Sequence, residues 1–142
     1  YLHLFNILKA KMNNLGKNIW VFPDAFLPIK GNPYKTSTSG DQYGHESLCV
    51  VNTNDKDAAL NIMFLFEDRD PIDDFMCTIK AKRSLHLRLD NIIFKDETKL
   101  PREVPYSIIL QSKLKVVAQL SRLDTTSKYN SFMTSLGWGT NV

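Results

Sequence analysis

The chain has 142 residues, of which 43% are hydrophobic and 23% charged, and its formal net charge is +3 at pH 7. This composition is typical of a soluble globular protein, and the charge is too small to indicate nucleic acid or a membrane surface as a partner. No apolar run approaches the roughly 20 residues that span a bilayer. We therefore predict one domain over residues 12–142.

Residues 1–11 carry apolar side chains at positions 1, 2, 4, 5, 7 and 8, which suits a short helix or a frayed arm better than a strand. They do not form a complete secretory signal, and Met12 follows as a natural start. We treat the segment as an N-terminal extension, poorly ordered or foreign to the native protein, that contributes little to function.

The two cysteines, Cys49 and Cys77, lie inside apolar strand-like runs. They show neither CxxC spacing nor a nearby cluster of histidines, so buried free thiols are expected rather than a disulfide or a zinc site. We predict a cytoplasmic protein without metal or cofactor.

The first strand is predicted over Lys17–Phe22, which is rich in β-branched and aromatic residues. It should stop at Pro23, because proline cannot donate to a ladder. A long loop follows from Ala25 to Gly44, and its middle, Tyr34 to Gln42, has the composition of a mobile segment.

Two hairpins are predicted from strand patterns that flank turn residues. The first joins His45–Thr53 to Leu60–Phe66. The second joins Tyr106–Gln111 to Val116–Ser121, with Ser112–Lys115 as its turn.

The strand Leu60–Phe66 is apolar on both faces. Met63 and Leu65 point away from the side that fills the core, so this second face also needs cover. We expect another subunit to cover it.

The stretch Ser84–Asp90 alternates polar and apolar residues without a break. Its period of two indicates a half-buried strand, because a helix would scatter its three leucines around the circumference. The leucines then enter the core, and four polar residues face outward: Ser84, His86, Arg88 and Asp90.

A last strand is predicted over Ser131–Trp138, which brings the number to seven or eight, with hardly any helix. Short strands separated by turns every ten residues or so indicate an all-β fold. We predict a β-sandwich or jelly-roll-like domain.

The best polar constellation is formed by Arg83, His86 and Arg88, the last two of which share a strand face about 7 Å apart. Arginine offers a planar fork of donors, which suits carboxylate, phosphate or sugar hydroxyl groups. An ordinary solvated strand face is the alternative.

Further candidates lie at strand ends. His45 and Glu46 open a strand directly after the long loop, and their side chains should point to opposite faces. Arg122 and Asp124 share a face, as a binding pair or as a structural salt bridge. Trp20 is either a stacking platform for a sugar or a core residue.

No catalytic signature is present in the sequence. It lacks a nucleophile elbow, a phosphate-cradling glycine loop, HExxH and cysteine-rich metal spacing. We therefore predict a binding protein rather than an enzyme.

Several motifs together resemble the sensory rhodopsin transducer family over about Gly16 to Trp138. The motifs that carry the resemblance are Trp20 with Phe26-Leu27-Pro28, His45-Glu46 with Cys49 and Asn52, Asp55-x-Asp57, Asp68 before Pro71, Ala81-Lys82-Arg83 with His86-x-Arg88, Pro105-Tyr106-Ser107, and Gln119 with Arg122-Leu123-Asp124.

The resemblance implies a β-sandwich that assembles as a homotetramer outside the membrane and binds a small, carbohydrate-like ligand. A membrane photoreceptor partner is implied as a special case, and DNA binding has been proposed for the family's namesake. The chain departs from the pattern in its N-terminal arm, in a longer Pro33–Gly44 insertion, and at Lys82, where a second arginine is common.

The leading hypothesis is a homo-oligomeric module that binds, without catalysis, a small polar ligand of the sugar type that the resemblance implies. The alternatives are an adaptor that docks on a membrane receptor, a carbohydrate-active enzyme with Glu46 as acid or base, and, least favoured, a nucleic-acid binder. The predicted ligand-binding residues are His45, Glu46, Arg83, His86, Arg88, Arg122, Asp124 and Trp20.

Overall fold

The computed structural model describes residues 12–36 and 40–142, and these residues form an all-β structure. The expected extension at 1–11 and part of the expected mobile segment lie outside the described residues. The elements are β1 Lys17–Phe26, β2 Tyr34–Thr36, β3 Gly40–Gln42, β4 His45–Asn52, β5 Ala58–Phe66, β6 Ile72–Ile79, β7 Arg83–Arg88, the 3-10 helix Leu89–Asn91, β8 Pro105–Asp124, β9 Ser131–Leu136 and β10 Trp138–Thr140.

One strand, β8, organises the main sheet. It runs for 20 residues, and its first half pairs antiparallel with β1 and β5, while its second half pairs with β4 and β9. The outer strands then add to these neighbours: β10 to β1, β6 to β5 and β7 to β4. The small hairpin β2–β3 forms a separate sheet within the predicted long loop.

The predicted hairpin around Ser112–Lys115 is wrong, because these residues form a bulge inside one continuous strand. Lys17 pairs with Val116 and Ile19 with Gln111, so four residues of β8 lie opposite a single residue of β1. Turn-forming residues therefore bend the strand here instead of ending it.

Side chains of β1 donate hydrogen bonds to carbonyl groups in the bulge and next to it. The Asn18 amide donates to the carbonyls of Ser112 and Lys113 at 3.1 and 3.0 Å, and Trp20 Nε1 donates to that of Val116 at 2.8 Å. Gly16 has a φ of +99°, and a Cβ there would lie 1.9 Å from the Val116 oxygen, so only glycine fits.

The other predicted hairpin is also wrong, since β4 and β5 do not pair with each other. Each pairs with a different half of β8, and the connection between them crosses from one half to the other. A fully buried Asn52 anchors the crossing: its amide donates to the carbonyls of Lys56, Ile79 and Lys80.

The first and last strands differ from their predicted limits. β1 continues through Pro23 to Phe26, with a register shift between Phe22 and Ala25. A proline is tolerated there because the shifted register requires no ladder donor from it. The predicted last strand is divided at Gly137, where a Cβ would lie 2.8 Å from the Phe22 ring.

The alternating stretch is confirmed only in its first part, because β7 ends at Arg88 and the Asp90 side chain, expected to face outward, is only 11% exposed. In β7, Leu85 and Leu87 are half-buried and His86 is exposed. Leu89 is fully buried, although it lies in the 3-10 helix that follows the strand.

A contiguous core lies between the strands and includes Phe22, Leu48, Phe64, Leu110 and Leu120. Cys49 and Cys77 are free thiols, as predicted, but both are half-buried rather than buried. Among the described residues, no helix is long and apolar enough to cross a membrane.

The alternation of faces along β8 predicts unequal effects for two adjacent substitutions. Leu110→Ala should lower the free energy of unfolding by about 2–5 kcal/mol, because Leu110 is fully buried. Gln111→Ala should change it by less than about 0.5 kcal/mol, because Gln111 is exposed. Denaturant unfolding measures both, and equal effects would contradict the strand's inward and outward alternation.

Candidate functional site

A buried polar cluster is centred on Glu46, which has no exposed surface. Its Oε1 accepts hydrogen bonds from the backbone N–H of Phe26 at 3.0 Å and from Arg122 Nε at 2.9 Å, and its Oε2 accepts one from the Tyr106 hydroxyl. Burial, reinforced by the Glu46 charge, raises the pKa of Tyr106, so the phenol remains a neutral donor.

Arg122 links this cluster to the surface. Its guanidinium lies over the Phe26 ring at 5.7 Å. Its Nη2 is buried without a hydrogen bond and lies 3.6 Å from a carboxylate oxygen of the exposed Asp24. Arg122 is therefore bound on its inner side and only loosely paired on its outer side.

A second polar cluster surrounds Asp90, whose carboxylate is approached by two arginines. Arg88 forms a bidentate pair with it at 2.8 and 2.9 Å and also donates to Gln42 Oε1 at 3.0 Å. Arg102 Nη2 lies 3.4 Å from the same carboxylate, and its Nη1 donates to the Gly44 carbonyl at 2.8 Å. The cluster holds the segment before β4 against the segment after β7.

His45 faces this second cluster. Its Nδ1 lies 2.6 Å from the Tyr43 carbonyl and must donate to it, which leaves Nε2 as the acceptor of a neutral ring. Burial lowers the pKa of His45, and Arg88 and Arg102 lower it further, while the Tyr43 carbonyl and Asp90 oppose them. His45 and Glu46 thus serve different clusters, as their opposite directions along the strand predicted.

A surface hollow of about 360 Å³ lies along the edge of β7. Among the described strands, β7 pairs only with β4, so its other edge is open. The lining combines apolar side chains with a few polar ones: Phe75, Leu85, His86, Leu87, Arg88, Asn91, Ile92 and Ile93.

The chain matches the family model described as Anabaena sensory rhodopsin transducer over residues 15–139. The chain belongs to this family. Its resemblance to sensory rhodopsin transducers, inferred from the motifs, is thereby confirmed.

Two solved structures are similar to this family member. A crystal structure of Thermotoga maritima 1070 is 38% identical, with a TM-score of 0.74, over 88% of this chain and 96% of that one. The Anabaena sensory rhodopsin transducer is 26% identical, with a TM-score of 0.64, over 78% of this chain and 91% of that one. No curated protein matches this chain.

In this transducer-family chain, the eight predicted ligand-binding residues do not all meet. Glu46 and Arg122 lie in the buried cluster, and His45 and Arg88 lie in the Asp90 cluster. His86 and Arg88 line the hollow.

The remaining three lie apart from these groups. Arg83 is exposed and donates to the neighbouring Lys82 carbonyl, and Asp124 accepts from the Thr126 N–H at 2.8 Å within a turn. Trp20 is half-buried, packs against the core and donates to the β8 bulge.

Sequence reasoning missed several residues of these sites, among them Phe75, Asn91, Arg102 and Tyr106. Tyr106 lies in a family motif, which was the available signal. Arg102 lies in the charged connection before β8, where nothing local distinguishes it from its neighbours. No group of three or more metal-ligating residues was found in the described part of the chain.

Arg122→Ala should strongly destabilise the protein, because it leaves the buried Glu46 charge without its cation. The expected loss is about 3–5 kcal/mol in the free energy of unfolding. Arg83→Ala is the matched control, which should unfold like the parent because Arg83 is exposed. An Arg122→Ala protein as stable as the control would show that Glu46 does not depend on this ion pair.

His45 should make folding stability depend on pH. Its pKa is lowered from an ordinary value of 6.5, so below that pH the unfolded chain binds more protons than the folded chain. The contribution of His45 is therefore present above about pH 6.5 and is lost as the pH falls below it. Unfolding free energies measured from pH 7.5 to 5 should fall more steeply for the parent than for His45→Gln; parallel curves would contradict the assignment.

Proposed function

We propose that this chain is a non-catalytic binding module of the transducer family, which holds a small polar, carbohydrate-like ligand in the hollow along β7. The observation that carries the proposal is the meeting of His86 and Arg88, two of the predicted wall residues, with Asn91 and Phe75 around one hollow. Its volume of about 360 Å³ lies within the range of about 300–1,000 Å³ usual for small-molecule sites.

The chemistry of the lining suits a sugar-like molecule. Phe75, Leu85 and Ile92 offer apolar surface to the C–H face of a ring, and Asn91 offers an amide that both donates and accepts. The open backbone edge of β7 adds further donors and acceptors. Arg88 is held in place by its bidentate pair with Asp90, so it loses little freedom when a ligand binds.

The buried cluster supports a binder over an enzyme. Both carboxylate oxygens of Glu46 already accept hydrogen bonds, and the side chain has no exposed surface. An acid or base that acts on a sugar needs an oxygen within reach of the substrate. The net charge of +3 likewise gives little support to nucleic-acid binding.

The working form of the module is proposed to be a cytoplasmic homotetramer of β-sandwich subunits. An apolar row crosses four strands in register on the outward face: Trp138, Val21, Ile109 and Met63. Trp138 is 65% exposed, and the other three are half-buried. Exposed apolar rows of this kind mark interaction surfaces, which supports cover by another copy.

Docking on a membrane receptor is the second candidate function. The similar Anabaena protein is a sensory rhodopsin transducer by name. In this chain Phe132 and Leu136 share one face of β9 and are 69% and 76% exposed, which offers an apolar surface to a partner.

A thermal-shift screen against sugars, sugar acids and phosphates tests the ligand proposal. A ligand at about 100 times its Kd should stabilise the protein by about 2.7 kcal/mol. The shift should be lost in Asn91→Ala and in Phe75→Ala, and it should persist in Ser121→Ala, which lies outside the hollow.

Two outcomes of this screen would count against the proposal. A shift that survives both hollow variants would place the ligand elsewhere on the protein. A folded protein that responds to none of the compounds would favour the receptor-docking function, for which a pull-down from membranes with Phe132→Ala as the comparison is the next measurement.

A further inference from the structure

A cysteine and a histidine lie side by side on the outward face of the sheet. Cys49 of β4 and His86 of β7 are direct partners across the antiparallel ladder. Cys49 Sγ lies 3.7 Å from His86 Nδ1, with the thiol half-buried and the imidazole exposed. The pair is 37 residues apart in sequence, so no spacing motif could have indicated it.

The separation of these two atoms matches that of ligands on one tetrahedral metal ion. Zinc binds a thiolate sulfur at about 2.3 Å and an imidazole nitrogen at about 2.0–2.1 Å. At a tetrahedral angle these two bonds place the ligand atoms about 3.6 Å apart. The two atoms are in hydrogen-bond contact in this structure, and the same spacing would let both bind one tetrahedral ion.

Open space lies over the pair. A hollow of about 160 Å³ is lined by both residues and by Gln119, which is the ladder partner of Cys49 on its other side. The other lining residues are uncharged: Val50, Val51, Ser84, Val117 and Ala118. An ion with its bound water fits this space, and no lysine or arginine of the lining repels it.

We propose that Cys49 and His86 bind one thiophilic divalent cation of the zinc class, through Sγ and Nδ1. The thiol releases its proton to solvent as the metal–sulfur bond forms. Water, together with the amide oxygen of Gln119, completes the coordination. Sulfur and imidazole ligands favour such ions over magnesium or calcium.

A site with only two strong ligands holds its ion reversibly. Structural zinc sites in proteins usually have four protein ligands and are closed to solvent, whereas this pair lies on an open sheet face. His86 also lines the hollow proposed for the sugar-like ligand, but the ion itself is the probe, so the metal site is tested without that ligand.

Titration of the reduced, full-length protein with Co²⁺ tests the site, because a cobalt–thiolate bond gives an intense near-ultraviolet absorption band. The band should saturate at one ion per chain and should be displaced by Zn²⁺. Cys49→Ser should abolish it and His86→Ala should weaken or abolish it, while Cys77→Ser is the matched control and should retain it.

Three other results of the cobalt titration would each overturn the proposed site. Absence of the band in the parent protein, or a band that persists in Cys49→Ser, would overturn the proposal. A band lost in Cys77→Ser and retained in Cys49→Ser would move the thiolate ligand to the other cysteine. Circular dichroism of each variant confirms that a lost band does not reflect unfolding.

Discussion

The structure depends on the buried Glu46 carboxylate, because this one group holds both ends of β8. Tyr106 and Arg122 lie 16 positions apart in the same strand, and a straight strand of that length would separate them by about 50 Å. Both nevertheless donate to Glu46. The strand must therefore fold back on itself, and the bulge at 112–115 is where the ladder with β1 is interrupted. Both halves contribute buried side chains to the core, Ile108 and Leu110 from the first half and Ala118 and Leu120 from the second.

The inward direction of Glu46 also determines where polar side chains lie on the surface. Because Glu46 points inward, the preceding His45 points outward, where the charges of Arg88, Asp90 and Arg102 act on it. These charges fasten the end of β7 to the segments around it. Within residues 12–36 and 40–142, β7 pairs with β4 alone, and its other edge lies beside the apolar residues Ile92 and Ile93. The open edge of β7, next to an Arg88 side chain that Asp90 holds in place, is the physical basis of the proposed ligand site.

Local pattern predicted the parts of the fold that depend on one strand alone. The period of two in Ser84–Asp90 gave the correct faces for Leu85, His86 and Leu87, since alternation is a property of the strand itself. Turn composition at Ser112–Lys115 failed, because a bulge uses the same residue types as a turn. Its carbonyls are satisfied by Asn18 and Trp20, almost a hundred residues earlier.

The residues of the candidate site likewise fall into those that strand parity could predict and those that it could not. His86 and Arg88 could be assigned to one wall from parity, but parity does not reveal which strands and loops are neighbours. Phe75 and Asn91 therefore could not be placed beside them, nor could Cys49 be placed opposite His86. The all-β class followed from the strand and turn pattern, and the family resemblance implied the same class.

The most direct test of this account is an amide NMR titration with the compound that gives the largest stabilisation. Chemical-shift changes should concentrate at Phe75, at Leu85–Leu87 and at Asn91–Ile93, along the open edge of β7. Changes confined to β9 and β10, with none along β7, would contradict it.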